Sequence, residues 1–92
     1  MANEFPTTVD GAVRLLMSMV EKSEQTKIAA MDIDDIYTLH FGLGVWVRNH
    51  MGLYAGNAKL LKDTRESEPD NASMVIMHAF RDRLRSDLPK IH

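Results

Sequence analysis

The sequence predicts an all-α fold, a compact small helical domain with three main helices and two short ones. Every strongly patterned segment repeats its apolar residues at spacings of three and four, the period of a helix with one buried face. No segment alternates apolar and polar residues in the period of two that a half-buried strand requires. Asp, Asn, Thr, Gly and Pro stand at the edges of the patterned segments, where helix ends use them. A chain of 92 residues makes one domain with one modest core. The expected division is a flexible arm over 1–7, a helical domain over 8–88 and a tail over 89–92.

The first helix follows Thr7 or Thr8 as its cap, with Asp10 in the favourable first turn. Its apolar positions are Val9, Ala12, Val13, Leu16, Met19 and Val20, and Leu15 widens the stripe. Gly11 weakens it by about 1 kcal/mol relative to Ala, which the pattern outweighs. Ser23 restarts a short helical connector from Glu24 to Met31. Asp32, Asp34 and Asp35 then read as capping and first-turn residues. A helix–loop–helix calcium site is excluded, because Tyr37 and Leu43 occupy the positions that need Gly and Glu.

A central helix carries Ile36, Leu39, Leu43, Trp46, Val47 and Met51 on one face and ends at Gly52 in the left-handed conformation. Gly42 and Gly44 within it imply close approach by a neighbour. Gly56 forms a turn, and Asn57 caps a short helix through Ala58, Leu60 and Leu61. Lys62 to Asp70 is charged and reads as an exposed loop. Ser67 or Asp70, with Pro69 beside it, opens the last helix. Its core face is Ala72, Val75, Ile76, Ala79, Phe80 and Leu84, reaching toward Leu88, and Pro89 ends it. Arg81, Arg83 and Arg85 suit the dipole of its C-terminal half.

Several function classes drop out on composition. A formal charge of -2 argues against a nucleic-acid footprint, which needs clustered cations on a basic chain. The absence of cysteine removes disulfides, thiolate catalysis and thiolate metal sites. No apolar run is long enough to span a membrane, and the polar, acidic start is not a secretory signal. The expectation is a cytoplasmic protein without a cofactor.

Chemistry-bearing residues concentrate in the stretch from Leu39 to Leu61, which holds the only Trp, four of the five Gly and an adjacent Arg–Asn pair. Its order is Leu39-His40-x-x-Leu43-Gly44-x-Trp46-Val47-Arg48-Asn49-x-x-Gly52-Leu53-Tyr54-x-Gly56-Asn57-x-x-Leu60-Leu61. Pro69-Asp70-x-x-Ser73-x-x-Ile76 follows downstream. Together these resemble a family of small bacterial and phage-borne domains of unknown function. That family has a Leu-Gly-x-Trp-Ile-Arg-Asn-x-x-Gly-Leu-Trp core and a downstream Pro-Asp-Asp-x-Ser motif. The resemblance covers about residues 8 to 86, and it implies a fold and boundaries but no activity. Val47, Tyr54 and Asn71 depart from the pattern, and Asn71 weakens any scheme needing paired carboxylates there.

Arg48 and Asn49 admit two readings. In the structural one they tie the end of the central helix to the Gly52–Asn57 turn and to Asp70, through an arginine–carboxylate fork and a bonded amide. In the functional one Arg48 binds an anion or nucleotide, Trp46 or Tyr54 stacks on a base, and Asn57 presents a helix N-terminus. His40 and His50 would lie about 15 Å apart along a continuous helix and cannot share a metal. With no His-Glu-x-x-His pattern and no cysteine, no metal site is expected. No nucleophile–base arrangement emerges, and Ser73 reads as a local backbone partner.

Met17, Met19, Met74 and Met77 occupy helix positions that one core stripe does not absorb, so core filling and a contact between chains both stand as readings. Two function classes follow. One is a non-enzymatic interaction module that binds another protein or itself as a homodimer, as a bacterial or phage accessory protein would. The other is a domain that sequesters an anionic small molecule around Trp46, Arg48 and Asn57.

Overall fold

The computed structural model describes residues 5–87, which form six α-helices and one 3-10 segment, with no strand among the described residues. The helices are α1 (Val9–Met19), α2 (Lys22–Ala29), α3 (Ile33–Ile36), α4 (Leu43–His50), α5 (Ala58–Thr64) and α6 (Pro69–Asp87), and the 3-10 segment Tyr37–Phe41 joins α3 to α4. The chain is all-α, as its periodicity requires.

The longest helix, α6, is the element on which the others pack: α1, α2, α4, α5, α3 and the 3-10 segment all lie against it. Its buried face is Ala72, Ser73, Ile76, Met77, Phe80, Arg81 and Leu84. Val75 and Ala79, expected in the core, are only half-buried. The stripe is therefore rotated toward Ser73, Met77 and Arg81, because two of those side chains carry polar bonds into the interior. Leu16, Ile36, Val47 and Leu60 from the other helices, and Met51 just past the end of α4, are fully buried in the same core. Leu88, Pro89 and the tail fall outside the described residues.

Helix α1 begins as its sequence demands, with Thr8 Oγ1 accepting from the Gly11 backbone N–H at 2.9 Å. A second support comes from far away: the Asp63 carboxylate accepts from the Val9 N–H at 2.7 Å, placing an anion at the positive helix end. Met19, expected on the core face, is 54% exposed, since α1 ends there and the chain turns into α2. Helix α2 starts at Lys22, ahead of the expected Glu24, and it is more than a connector. Gln25, Ile28 and Ala29 are buried, and the Gln25 amide donates to the carbonyls of Met17 and Val20.

The expected continuous central helix is broken. Its first turn is capped by Asp35, whose carboxylate accepts from the Asp32 N–H at 3.3 Å. The chain then tightens into the 3-10 segment, and the Gly42 N–H bonds back to Leu39 O at 3.1 Å. A new ladder starts from Gly42 O to the Trp46 N–H at 3.3 Å. No neighbour lies within 4 Å of where a Gly42 Cβ would sit, so Gly42 marks this break and not a close approach.

Gly44 is the close approach. A Cβ there would lie 3.0 Å from Arg48 Nη1 and 3.1 Å from Met77 Cε. Gly52 ends α4 with φ +75, a conformation in which L side chains are strained, and the Phe5 ring covers it. Phe5 and Pro6 are thus docked on the 51–57 turn, and the described end of the N-terminal arm is fastened there. Helix α5 runs through Thr64, so the charged loop is only the short piece from Arg65 to Glu68. Pro69 is the first residue of α6, where its missing N–H costs no helical bond.

Candidate functional site

Arg48 is 4% exposed although it is a cation, because three parts of the chain supply it with acceptors. From the 51–57 turn, Tyr54 Oη accepts from Nε at 3.0 Å. From the start of α6, the Asp70 carboxylate lies 3.3 Å from Nε and the Ser73 hydroxyl accepts from Nη1 at 3.0 Å. From the 3-10 segment, the His40 carbonyl accepts from Nη2 at 3.0 Å, and His40 Nδ1 lies 3.3 Å from Nη1. A guanidinium only donates, so in this contact Nδ1 takes the acceptor role, while Nε2 faces Asp70 Oδ2 at 4.0 Å.

This arrangement explains the two sequence motifs in physical terms. Gly44, one helical turn before Arg48, leaves room for the guanidinium to fold back beneath α6. Pro69 starts α6, and its first turn then presents Asp70 and Ser73 to the same group. Ser73 also donates to Asp70 O at 2.9 Å, the local backbone bond read from the sequence. Asn71 is exposed and is not among the partners of Arg48, so an amide there changes nothing at the buried cation. A family model for a Domain of unknown function (DUF6794) matches residues 5–84. The chain belongs to this family. No curated protein and no solved structure matches it.

The DUF6794 domain separates the other expected site residues from Arg48. Asn49 is exposed, and its amide donates to Val45 O of its own helix at 3.1 Å. It pins nothing distant, because one position beyond Arg48 on a helix turns the side chain away from α6. Asn57 does the tying instead. Its amide nitrogen donates to Pro6 O and Met51 O, both at 2.8 Å, while its oxygen caps α5 at Leu60. Trp46 is half-buried, stacks on His50 at 4.5 Å, and borders an apolar groove of about 200 Å³ with Leu16, Met19, Val20 and Leu43. Trp46, Arg48 and Asn57 therefore have separate neighbours. Tyr54 meets Arg48 only through its hydroxyl, and its ring is largely exposed.

The methionines divide in the same way. Met77 is fully buried against Gly44 and is core, so it cannot serve as a chain-to-chain contact in the folded state. Met17 and Met74 are half-buried, and Met19 stands exposed beside the Trp46 groove. Met74 lines a second groove with Tyr37, His40, Phe41, Asp70 and Asn71.

That second groove belongs to a surface which the sequence pattern did not single out. Ile33 is 62%, Tyr37 59% and Phe41 84% exposed, all on α3 and the 3-10 segment. Spaced four apart, the three lie on the side of the helical period opposite Ile36, Leu39 and Leu43, so the pattern left them off the core face without marking them as a surface. Among the described residues, no group of three or more His, Asp or Glu is arranged to hold a metal, and no helix is long and apolar enough to cross a membrane.

Proposed function

We propose that this domain is a non-enzymatic interaction module that associates with itself through the Ile33–Tyr37–Phe41 ridge, in a cytoplasmic bacterial or phage setting. One observation carries the reading: Phe41 is 84% exposed at the end of a ridge with two further exposed large apolar residues. Lone exposed apolar side chains are ordinary, but neighbouring ones on a small domain mark contact surfaces. The residues a nucleotide site would have used favour this reading over sequestration. Arg48 is buried and each of its three nitrogens already meets an internal partner, and both amide protons of Asn57 are bonded within the chain, so neither side chain is turned outward to an anion.

Light scattering over a concentration series tests it, comparing the unaltered domain with Phe41→Ser combined with Tyr37→Ser. The expected result is a mass above that of one chain for the first and a monomer of unchanged melting temperature for the second. A monomeric unaltered domain at high micromolar concentration, or a variant that associates as well as its parent, overturns the proposal.

A further inference from the structure

The ridge is not only apolar. Asp32, Asp34 and Asp35 are all exposed beside Ile33 and Tyr37, and the stretch from Asp32 to Phe41 contains no Lys or Arg. Among the described residues, none of these three carboxylates lies within 4.0 Å of a cationic group. A partner surface for this ridge must bring cations with aliphatic stems, able to lie on aromatic faces and meet carboxylates.

The same chain has such a surface. On α5, Lys59 and Lys62 are one turn apart on one side, and Arg65 follows at the helix end in the left-handed conformation, φ 66. All three are exposed, and none pairs with a carboxylate among the described residues. The acid between them, Asp63, is turned away to accept from the Val9 N–H, which leaves the outer side of α5 cationic. Most other arginines are engaged elsewhere: Arg81 and Arg85 on the carbonyls at the end of α2, Arg83 on Asp87, Arg14 on Asp10.

We infer that the occupant of the ridge is the α5 surface of a second copy, with Lys59, Lys62 and Arg65 of one chain on the Asp32–Phe41 ridge of the other. This rests on the self-association proposed above and assigns its two faces. Exposed ion pairs add little affinity, so the aromatic residues supply the binding while the charges set register and exclude misaligned encounters. A two-fold pair makes this contact twice, whereas the same two faces joined head to tail would give rings or filaments, so a mass of two chains in light scattering is the expected result.

Charge reversal tests the assignment. Asp34→Lys with Asp35→Lys reverses the ridge, and Lys59→Glu with Lys62→Glu reverses the stripe. Asp34→Lys alone serves if losing the Asp35 cap disturbs α3, since Asp34 has no internal side-chain bond among the described residues. Each variant should weaken self-association at least about tenfold. An equimolar mixture of the ridge and stripe variants should associate again, because opposite charges then meet across the chains. Variants that associate like the unaltered domain, or a mixture that stays monomeric, would overturn the assignment. If association is lost on Phe41→Ser but indifferent to charge reversal, this assignment falls while the interaction module stands. A monomeric unaltered domain brings both down.

Discussion

Arg48 Nη1 donates to the Ser73 hydroxyl at 3.0 Å, joining two buried side chains 25 residues apart. Around this bond the 3-10 segment, the 51–57 turn and the first turn of α6 converge on one guanidinium. A buried cation stabilises a fold only when its acceptors are all in place, and removing it leaves them without a donor. Arg48→Ala should lower unfolding free energy by about 3 kcal/mol. The loss stays below the largest known cases because Asp70 is exposed and regains water. Arg48→Lys should recover less than half, since one ammonium cannot span His40, Tyr54 and Ser73. Urea denaturation of the three proteins decides it; a Lys variant as stable as its parent would refute the geometric argument.

Gly44 gives a prediction whose sign is opposite to helix propensity. In an open helix Gly→Ala stabilises by about 1 kcal/mol. At Gly44 the added Cβ would lie 3.0 Å from Arg48 Nη1, 3.1 Å from Met77 Cε and 3.2 Å from Leu39 O. The first two can shift, but the Leu39 carbonyl belongs to the backbone of the 3-10 segment. Gly44→Ala should therefore destabilise by about 1–2 kcal/mol, in the range of an overpacked core. A rise in melting temperature would show that the segment yields without cost.

The two asparagines should separate cleanly. Asn57 holds Pro6 O, Met51 O and the α5 N-terminus at once, so Asn57→Ala should cost about 2 kcal/mol. Asn49 bonds only to the preceding turn of its own helix, and Asn49→Ala should stay within about 0.5 kcal/mol. Equal effects in thermal unfolding would contradict the assignment of the tie to Asn57.

Helix content, the Asn57 cap, the Gly52 stop and, to within one residue, the α1 cap were legible in the sequence, because each depends on local spacing and residue chemistry. Arg48 on Asp70 was one of two readings, since spacing cannot choose between partners 22 positions apart. The break at Gly42 was not legible. Ile36, Leu39, Leu43 and Val47 keep an uninterrupted helical period across it, and periodicity cannot distinguish one helix from two that share a buried face. Phe41 already lay opposite that face in the helical period; what the pattern did not give was that Ile33, Tyr37 and Phe41 together make an apolar surface. Likewise, adjacency made Arg48 and Asn49 look like one unit, although neighbours on a helix face different ways.

The methionines provide a separate check on where core ends and surface begins. Met77 is fully buried, and Met77→Ala should cost about 2–5 kcal/mol through the lost burial and the cavity left behind. Met19 is 54% exposed, and Met19→Ala should change stability by no more than about 0.5 kcal/mol. Chemical denaturation of both variants measures the contrast, and similar losses would place Met19 in a packed environment.

Arg81 and Arg85 should control α2 and leave the rest of the domain folded. The α2 sequence, Lys-Ser-Glu-Gln-Thr-Lys-Ile-Ala, buries little apolar surface, and its N-terminus has no side-chain cap. Its C-terminal end is held instead by α6: Arg85 Nε donates to Ala29 O at 2.7 Å, and both Arg81 and Arg85 donate to Met31 O. These carbonyls lack helical partners, and the cations also oppose the negative end of the helix dipole. Arg81→Ala with Arg85→Ala should thus open α2 locally, at a cost of about 2–3 kcal/mol in the protection of its amides. The core of α6 around Ile76 and Phe80 does not depend on that end and should keep its protection. Amide hydrogen exchange read residue by residue tests this, and uniform loss of protection over both helices would mean that α2 unfolds only with the whole domain.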